Sequence, residues 1–288
     1  MKPVVYFSRD ITPETVEKLF RLLDRELPGR TAVKVHSGEP GNQNFLKPEF
    51  WQKVVEAVDG TVVECNTAYE GGRDTTQRHI RTLKQHGWSS LFPVDLLDAQ
   101  GPDLVLEIPE GKKIQKNFVG KDIVNYDSML VLSHFKGHPM GGFGGALKQL
   151  SIGVASSYGK KYIHGVGVTE NFWSSDHDSF LEAMADAASS VAEFFGGNIA
   201  YINVMKNMSV DCDCCSVAED PCIGDIGVLA SLDPVAIDQA CLDLVYASPD
   251  PGKAHLLERI ESRNGIHTVE AAAALGMGSR EYTLVTVD

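Results

Sequence analysis

Four of the six cysteines fall within eleven residues, at Cys212, Cys214, Cys215 and Cys222. Thiolates this close together serve as ligands for zinc or an iron–sulfur cluster, or as the partners of a disulfide switch. The same stretch is strongly acidic. No lysine or arginine lies between Lys206 and Lys253, while Asp211, Asp213, Glu219 and Asp220 crowd the thiols. Two unit charges about 8 Å apart repel by roughly 2 kcal/mol at an effective dielectric near 20. Left alone, such a field keeps thiols protonated and unreactive. The loop is therefore built to be neutralised, by a bound cation or by basic side chains from elsewhere in the chain. Its order, C-x-C-C-x6-C, matches neither the ferredoxin run nor the paired C-x2-C of zinc ribbons. A four-thiolate [4Fe-4S] cluster, a structural zinc, a three-thiolate centre with an open position, and a Cys214–Cys215 or Cys212–Cys215 disulfide all remain open.

A second group of residues has the opposite sign. Three polar, glycine-bearing segments cover residues 34–42, 66–73 and 133–148, and they supply Lys34, His36, Arg73, His134, Lys136, His138 and Lys148. Such a set suits a carboxylate or phosphate, or proton transfer by histidine near neutral pH. Asn66 and Glu39, from the same segments, are further candidates for touching the substrate. In an extended backbone, His134-x-Lys136-x-His138 places three side chains on one face. Lys136 between the two histidines opposes a dication, so anion recognition or acid/base chemistry is the expectation there. The glycines at 141–145 match neither the P-loop nor the dinucleotide fingerprint, and no nucleotide is inferred from them. His79 and His86 share a helix face with Leu83 and read as packed residues, and Cys241, beside Ile237, Leu244 and Val245, reads as core.

The elements that must position these groups follow from periodicity. Short apolar runs at 32–35, 61–65, 104–108, 129–133, 162–166, 199–204 and 282–287 read as strands. Thr12-Pro13-Glu14 opens a helix, residues 48–58 carry an apolar helical stripe, and Asp74 with Gln77 resembles a capping box for a helix ending at Gly87. Further helices are expected over 178–195 and from Asp233-Pro234 to about Tyr246. The alternation predicts an α/β fold, a mainly parallel sheet with helices on both faces. In such sheets ligands bind beyond the carboxyl ends of the strands. Each polar segment follows a predicted strand, so parallel strands would bring all three to one edge, around one cleft. The chain is read as one domain over 1–288, with a division into two lobes near residue 150 as the alternative.

Composition sets outer bounds. The 288 residues carry a net charge of −13, which disfavours nucleic acid and anionic membranes as partners. No apolar run approaches the roughly 20 residues of a bilayer span, and the N-terminus lacks a signal-peptide core, so a soluble, cytoplasmic protein is expected.

Taken together, several segments resemble the DUF362 family over nearly the whole chain. They are Lys34-Val35-His36-Ser37-Gly38-Glu39, Asn66-Thr67-Ala68-Tyr69 through Arg73, and Ser133-His134-Phe135-Lys136-Gly137-His138 through Gly144-Gly145-Ala146-Leu147-Lys148. Asp211-Cys212-Asp213-Cys214, followed by residues 225–240, completes the set. The resemblance implies a prokaryotic, cytoplasmic protein of the kind described as iron–sulfur binding. Many relatives add a ferredoxin module with repeated C-x2-C-x2-C runs, and this sequence shows none. Where relatives often read Lys-Asn-Leu, it has Lys148-Gln149-Leu150. A more distant likeness to the nickel-dependent lactate racemase group is an analogy only. The resulting expectation is a metal- or iron–sulfur-binding enzyme, an oxidoreductase or isomerase, acting on a small anionic substrate and served by a redox partner protein. The cysteines would hold the metal. The alternatives are a zinc-stabilised carrier without catalysis and a thiol-redox sensor.

Overall fold

Ser128–His134 and Ile199–Met205 are buried at every position, as central strands covered on both faces must be. The computed structural model describes residues 2–287. In chain order its strands are β1 (Val4–Ser8), β2 (Thr31–Lys34), β3 (Thr61–Glu64), β4 (Val94–Leu96), β5 (Leu104–Glu107), β6 (Lys116–Val119), β7 (Ser128–His134), β8 (Lys136–His138), β9 (Gly142–Gly144), β10 (Ile199–Met205), β11 (Gly227–Ser231) and β12 (Thr283–Thr286). The helices are α1 (Pro13–Leu22), α2 (Pro48–Ala57), α3 (Thr76–Gln85), α4 (Trp88–Leu91), α5 (Ala146–Leu150), α6 (Ser157–His164), α7 (His177–Phe194), α8 (Pro234–Ala247), α9 (Lys253–Ser262) and α10 (Ile266–Ala274).

Eight strands form the main sheet in the order β12-β1-β11-β10-β7-β2-β3-β4. All neighbours run parallel except β11, which is antiparallel to both β1 and β10. The mainly parallel α/β expectation holds. Strands from either side of residue 150 interleave, with β10 seated between β7 and β11. Alternate strand residues feed two cores, as the two-residue period of a strand requires. Val33, Val62, Leu130 and Ile202 pack on Leu19, Trp51, Val54 and Leu83 of α1, α2 and α3. Ala32, Val63, Met129 and Tyr201 face the other way, toward Leu147, Ala188 and Ile237 of α5, α7 and α8. Among the described residues no helix is long and apolar enough to cross a membrane.

Local signals explain most boundaries. The Thr12 side chain accepts from Thr15 N at 3.2 Å and Pro13 opens α1. The cap of α3 is Thr75 rather than Asp74, which instead pairs with the exposed Arg78 side chain. Residues 162–166 are not a strand. They lie at the end of α6 and the turn after it, because Ser156 caps that helix and Lys160, Ile163 and His164 are buried at helical spacing. A short apolar run does not by itself distinguish strand from helix. The 104–108 run does form β5, but it pairs with β6 in a separate hairpin.

Parallel pairing of β7, β2 and β3 sends the segments that follow them out at one sheet edge. β10 is parallel to β7, so the cysteine-bearing loop that follows Met205 leaves by the same edge. The buried Asp238 of α8 accepts from Ala146 N (2.7 Å), Leu147 N (2.9 Å) and Asn203 Nδ2 (2.7 Å). That carboxylate fixes the start of α5, and with it the direction of Lys148.

Candidate metal and anion site

The acidic loop is neutralised by basic side chains from the third polar segment. Asp213, 1 % exposed, accepts from Lys136 Nζ at 2.7 Å and from His134 Nδ1 at 3.0 Å. Burial would raise its carboxyl, but the charges of His134 and Lys136 outweigh burial and hold it well below the usual range. Burial works against the Lys136 ammonium, yet Asp213 and Cys212 leave it raised. His134 Nε2 lies 2.5 Å from Lys206 O. Both ring nitrogens thus face acceptors. Nearer the surface, Arg259 meets Asp211 at 3.3 Å and Val210 O at 2.8 Å.

The loop's main chain is held by residues just after β2. Asn42 Nδ2 donates to Cys215 O (2.9 Å) and Cys212 O (3.3 Å), Glu39 N to Asp213 O (2.8 Å), and Asn44 Nδ2 to Glu219 O (2.7 Å). Tyr69 OH donates to Cys214 O at 3.3 Å. Gly137 N donates to Ser209 O at 2.8 Å, and a Cβ at Gly137 would sit 2.3 Å from Val210 O. Only glycine permits that approach.

This scaffold brings Cys212 and Cys214 together, and Cys215, next in the chain, donates its main-chain N–H to Cys212 O at 2.9 Å. One ligand atom from each of His138, Cys212 and Cys214 lies within 4.8 Å of the other two. Cys222 is elsewhere, its thiol 3.5 Å from Met208 O. All six cysteines are free. The contact with Cys214, then burial, pushes the Cys212 thiol up to about 11. The contact with Cys212 pulls Cys214 down, but Cys215 and burial outweigh it and leave that thiol also at about 11. Cys215, half-exposed, is lowered by its contact with Cys214. Adjacent thiols are a donor set for zinc or another thiophilic transition metal, and an ion bound there displaces thiol protons. Cys241 is core, as expected, and burial raises its thiol.

Beside the thiols opens a cleft of about 170 Å³, reached by Lys34, His36, His138, Lys148 and Cys214. That volume exceeds the needs of a few waters and suits a small molecule. Its cations are unequal. Lys34 pairs with Glu64 at 2.6 Å, and Arg73 with Glu39 at 2.9 Å and Glu64 at 3.5 Å. Lys148 has no ion pair or side-chain hydrogen bond among the described residues, which leaves its ammonium for a ligand. Burial, then Lys148, holds the His138 imidazole well below its ordinary value. Burial, then Arg73, lowers His36 to about 4. Both shifts favour the uncharged ring. Asn66 does not line the cleft: its Oδ1 accepts from His79 Nδ1 at 3.3 Å and its Nδ2 donates to Thr76 at 3.0 Å. Glu39 likewise serves Arg73, and it also accepts from Gly72 N. His79 is fully buried, as a packed residue should be.

Sequence reasoning passed over three residues here. Lys160 and His164 enter the cleft from α6. Lys160 Nζ donates to Ala155 O at 2.5 Å, and burial lowers its ammonium. His164, lowered to about 3 by burial, has no partner at Nδ1 and stacks on Phe180 at 4.5 Å. Glu64 was hidden as a lone acid ending an apolar run. The signal for the first two was their four-residue spacing.

The family model described as Domain of unknown function (DUF362) matches residues 31–243. The chain belongs to the DUF362 family. The DUF362 match runs from β2 into α8 and contains every residue of the site described above except Arg259. No curated protein matches the chain. Among solved structures it is similar to the lactate racemase apoprotein from Thermoanaerobacterium thermosaccharolyticum, at 16% identity over 69% of this chain and 50% of that one, with a TM-score of 0.42. It is also similar to a protein from Thermotoga maritima, at 10% identity over 91% of this chain and 59% of that one, with a TM-score of 0.43. The DUF362 chain thus spans only half to three-fifths of the length of these two.

Burial would raise the Glu64 carboxyl, but Lys34 and Arg73 hold it far below its ordinary 4.5. A depressed carboxylate contributes stability above its unfolded value that is lost as the pH falls below it. Glu64→Gln strands two buried cations and should cost about 3–5 kcal/mol in urea unfolding at neutral pH. Between about pH 5 and pH 3 the wild type should lose stability more steeply than the variant, which lacks the titrating group.

Proposed function

We propose that this DUF362 protein binds a metal at Cys212 and Cys214, with Cys215 and His138 alongside, and takes a small anion in the adjoining cleft. The observation that carries the proposal is the convergence of His138, Cys212 and Cys214 within 4.8 Å at the edge of a cleft holding the unpaired Lys148. A metal here would supply Lewis acidity or electron transfer. The chain's own groups would do the rest. Lys148 draws in the anion, assisted by Lys160. The neutral rings of His36 and His138 hold a proton beside the thiols. Met140, Ile152 and Trp173 wall the cleft and limit water. Closely set thiols favour a single thiophilic ion, and an iron–sulfur cluster is the second reading because Cys215 adds a further thiol next to Cys214.

Anaerobic purification followed by iron, zinc and acid-labile sulfide analysis separates these readings. One ion per chain without sulfide, lost in Cys212→Ser and Cys214→Ser and kept in Cys222→Ser, is the expected result. Iron with sulfide would assign the cluster instead. Protein that is metal-free and takes up none on reconstitution would end the proposal.

Lys148→Met tests the anion half. Calorimetric titration with small carboxylates and inorganic phosphate should show binding weakened about tenfold or more, since a charge-assisted hydrogen bond contributes about 1.5–3 kcal/mol. Unchanged affinity would remove Lys148 from the role.

A further inference from the structure

The two imidazoles nearest the thiols are gripped in the same way. His138 Nδ1 accepts the main-chain N–H groups of Gly141 at 2.9 Å and Met140 at 3.2 Å. His36 Nδ1 accepts that of Gly38 at 3.1 Å, in a turn where Gly38 has a φ of +82°. A ring nitrogen that accepts an N–H carries no proton of its own, so the proton of each neutral ring sits on Nε2. His138 Nε2 lies 3.9 Å from Cys214 Sγ, and His36 lines a small pocket together with Cys212.

This is the reverse of what a metal-ligating histidine needs. A ring that binds an ion through Nε2 donates from Nδ1 to a carboxylate or carbonyl. Here Nδ1 is occupied by donors. Ligation through Nε2 would strip the ring of its last proton or break the main-chain contacts.

We infer that His36 and His138 are not ligands but a pair of N–H donors, each aimed at one sulfur, Cys212 for the first and Cys214 for the second. They are positioning residues. Each N–H···S contact fixes a cysteine rotamer and stabilises charge on sulfur without adding a further cation beside the metal. The inference rests on the metal reading for the ion, while the tautomers belong to the protein itself.

Long-range ¹H–¹⁵N correlation spectra of the ¹⁵N-histidine-labelled full chain test it, first reduced and metal-free, then loaded with ¹¹³Cd. Nine histidines contribute, and His36→Gln and His138→Gln assign two of them. Both rings should show protonated Nε2 before and after loading, with no ¹¹³Cd–¹⁵N splitting anywhere in the wild-type spectrum. Protonated Nδ1 in either ring, or ¹¹³Cd coupling to His138, would overturn the inference. If cadmium does not bind, the metal reading fails, while the metal-free tautomers still decide this one. The absence or presence of splitting in wild-type protein needs no variant to fold.

Discussion

The buried carboxylate of Asp213, held between Lys136 and His134, is the contact on which the rest of the site depends. It joins a loop leaving β10 to side chains at the end of β7 and in β8, and so turns two clusters of opposite sign into one wall. A charge taken out of water with no partner is costly, and that cost makes the contact selective. Beside this contact Cys214 faces His138, Cys212 shares a small pocket with His36, and Asn42 reaches two loop carbonyls at once.

Pairing also decides which groups are left for chemistry. Lys34, Arg73 and Lys136 all answer to buried carboxylates, so their charge is already satisfied inside the protein. Lys148 is not answered in this way, and it stands where α5 is fixed by Asp238. Seven basic residues looked equivalent along the chain. Folding separates them into braces for the loop and a free ammonium. The fold itself hosts many chemistries, and the case for function rests on this site alone.

Much of this arrangement could be read without coordinates, because strand ends in a parallel sheet converge. The segments after Lys34, Glu64 and Ser133 were placed on one edge by that rule, and the acidic cysteine loop was expected to need positive neighbours. Pairing partners were beyond reach, since no spacing rule links Asp213 to residues nearly eighty positions earlier. One misread element had a wider effect. Taking residues 162–166 as a strand hid α6, and with it the approach of Lys160 and His164 to the cleft. β11 was missed as a strand because its apolar run followed the acidic loop with only Gly227 to mark its start. The separation of Cys222 from the other thiols likewise depends on where the loop turns, which cysteine spacing alone does not specify.

The central claim is that Asp213 and Lys136 act as one unit. A double-mutant cycle with Asp213→Asn and Lys136→Met, read by urea unfolding, measures that directly. Each single variant should destabilise strongly by leaving its partner buried and unpaired, and the double variant should recover on the order of 2 kcal/mol relative to their sum. Additivity to within about 0.5 kcal/mol would contradict the account, because the loop would then be held by something else.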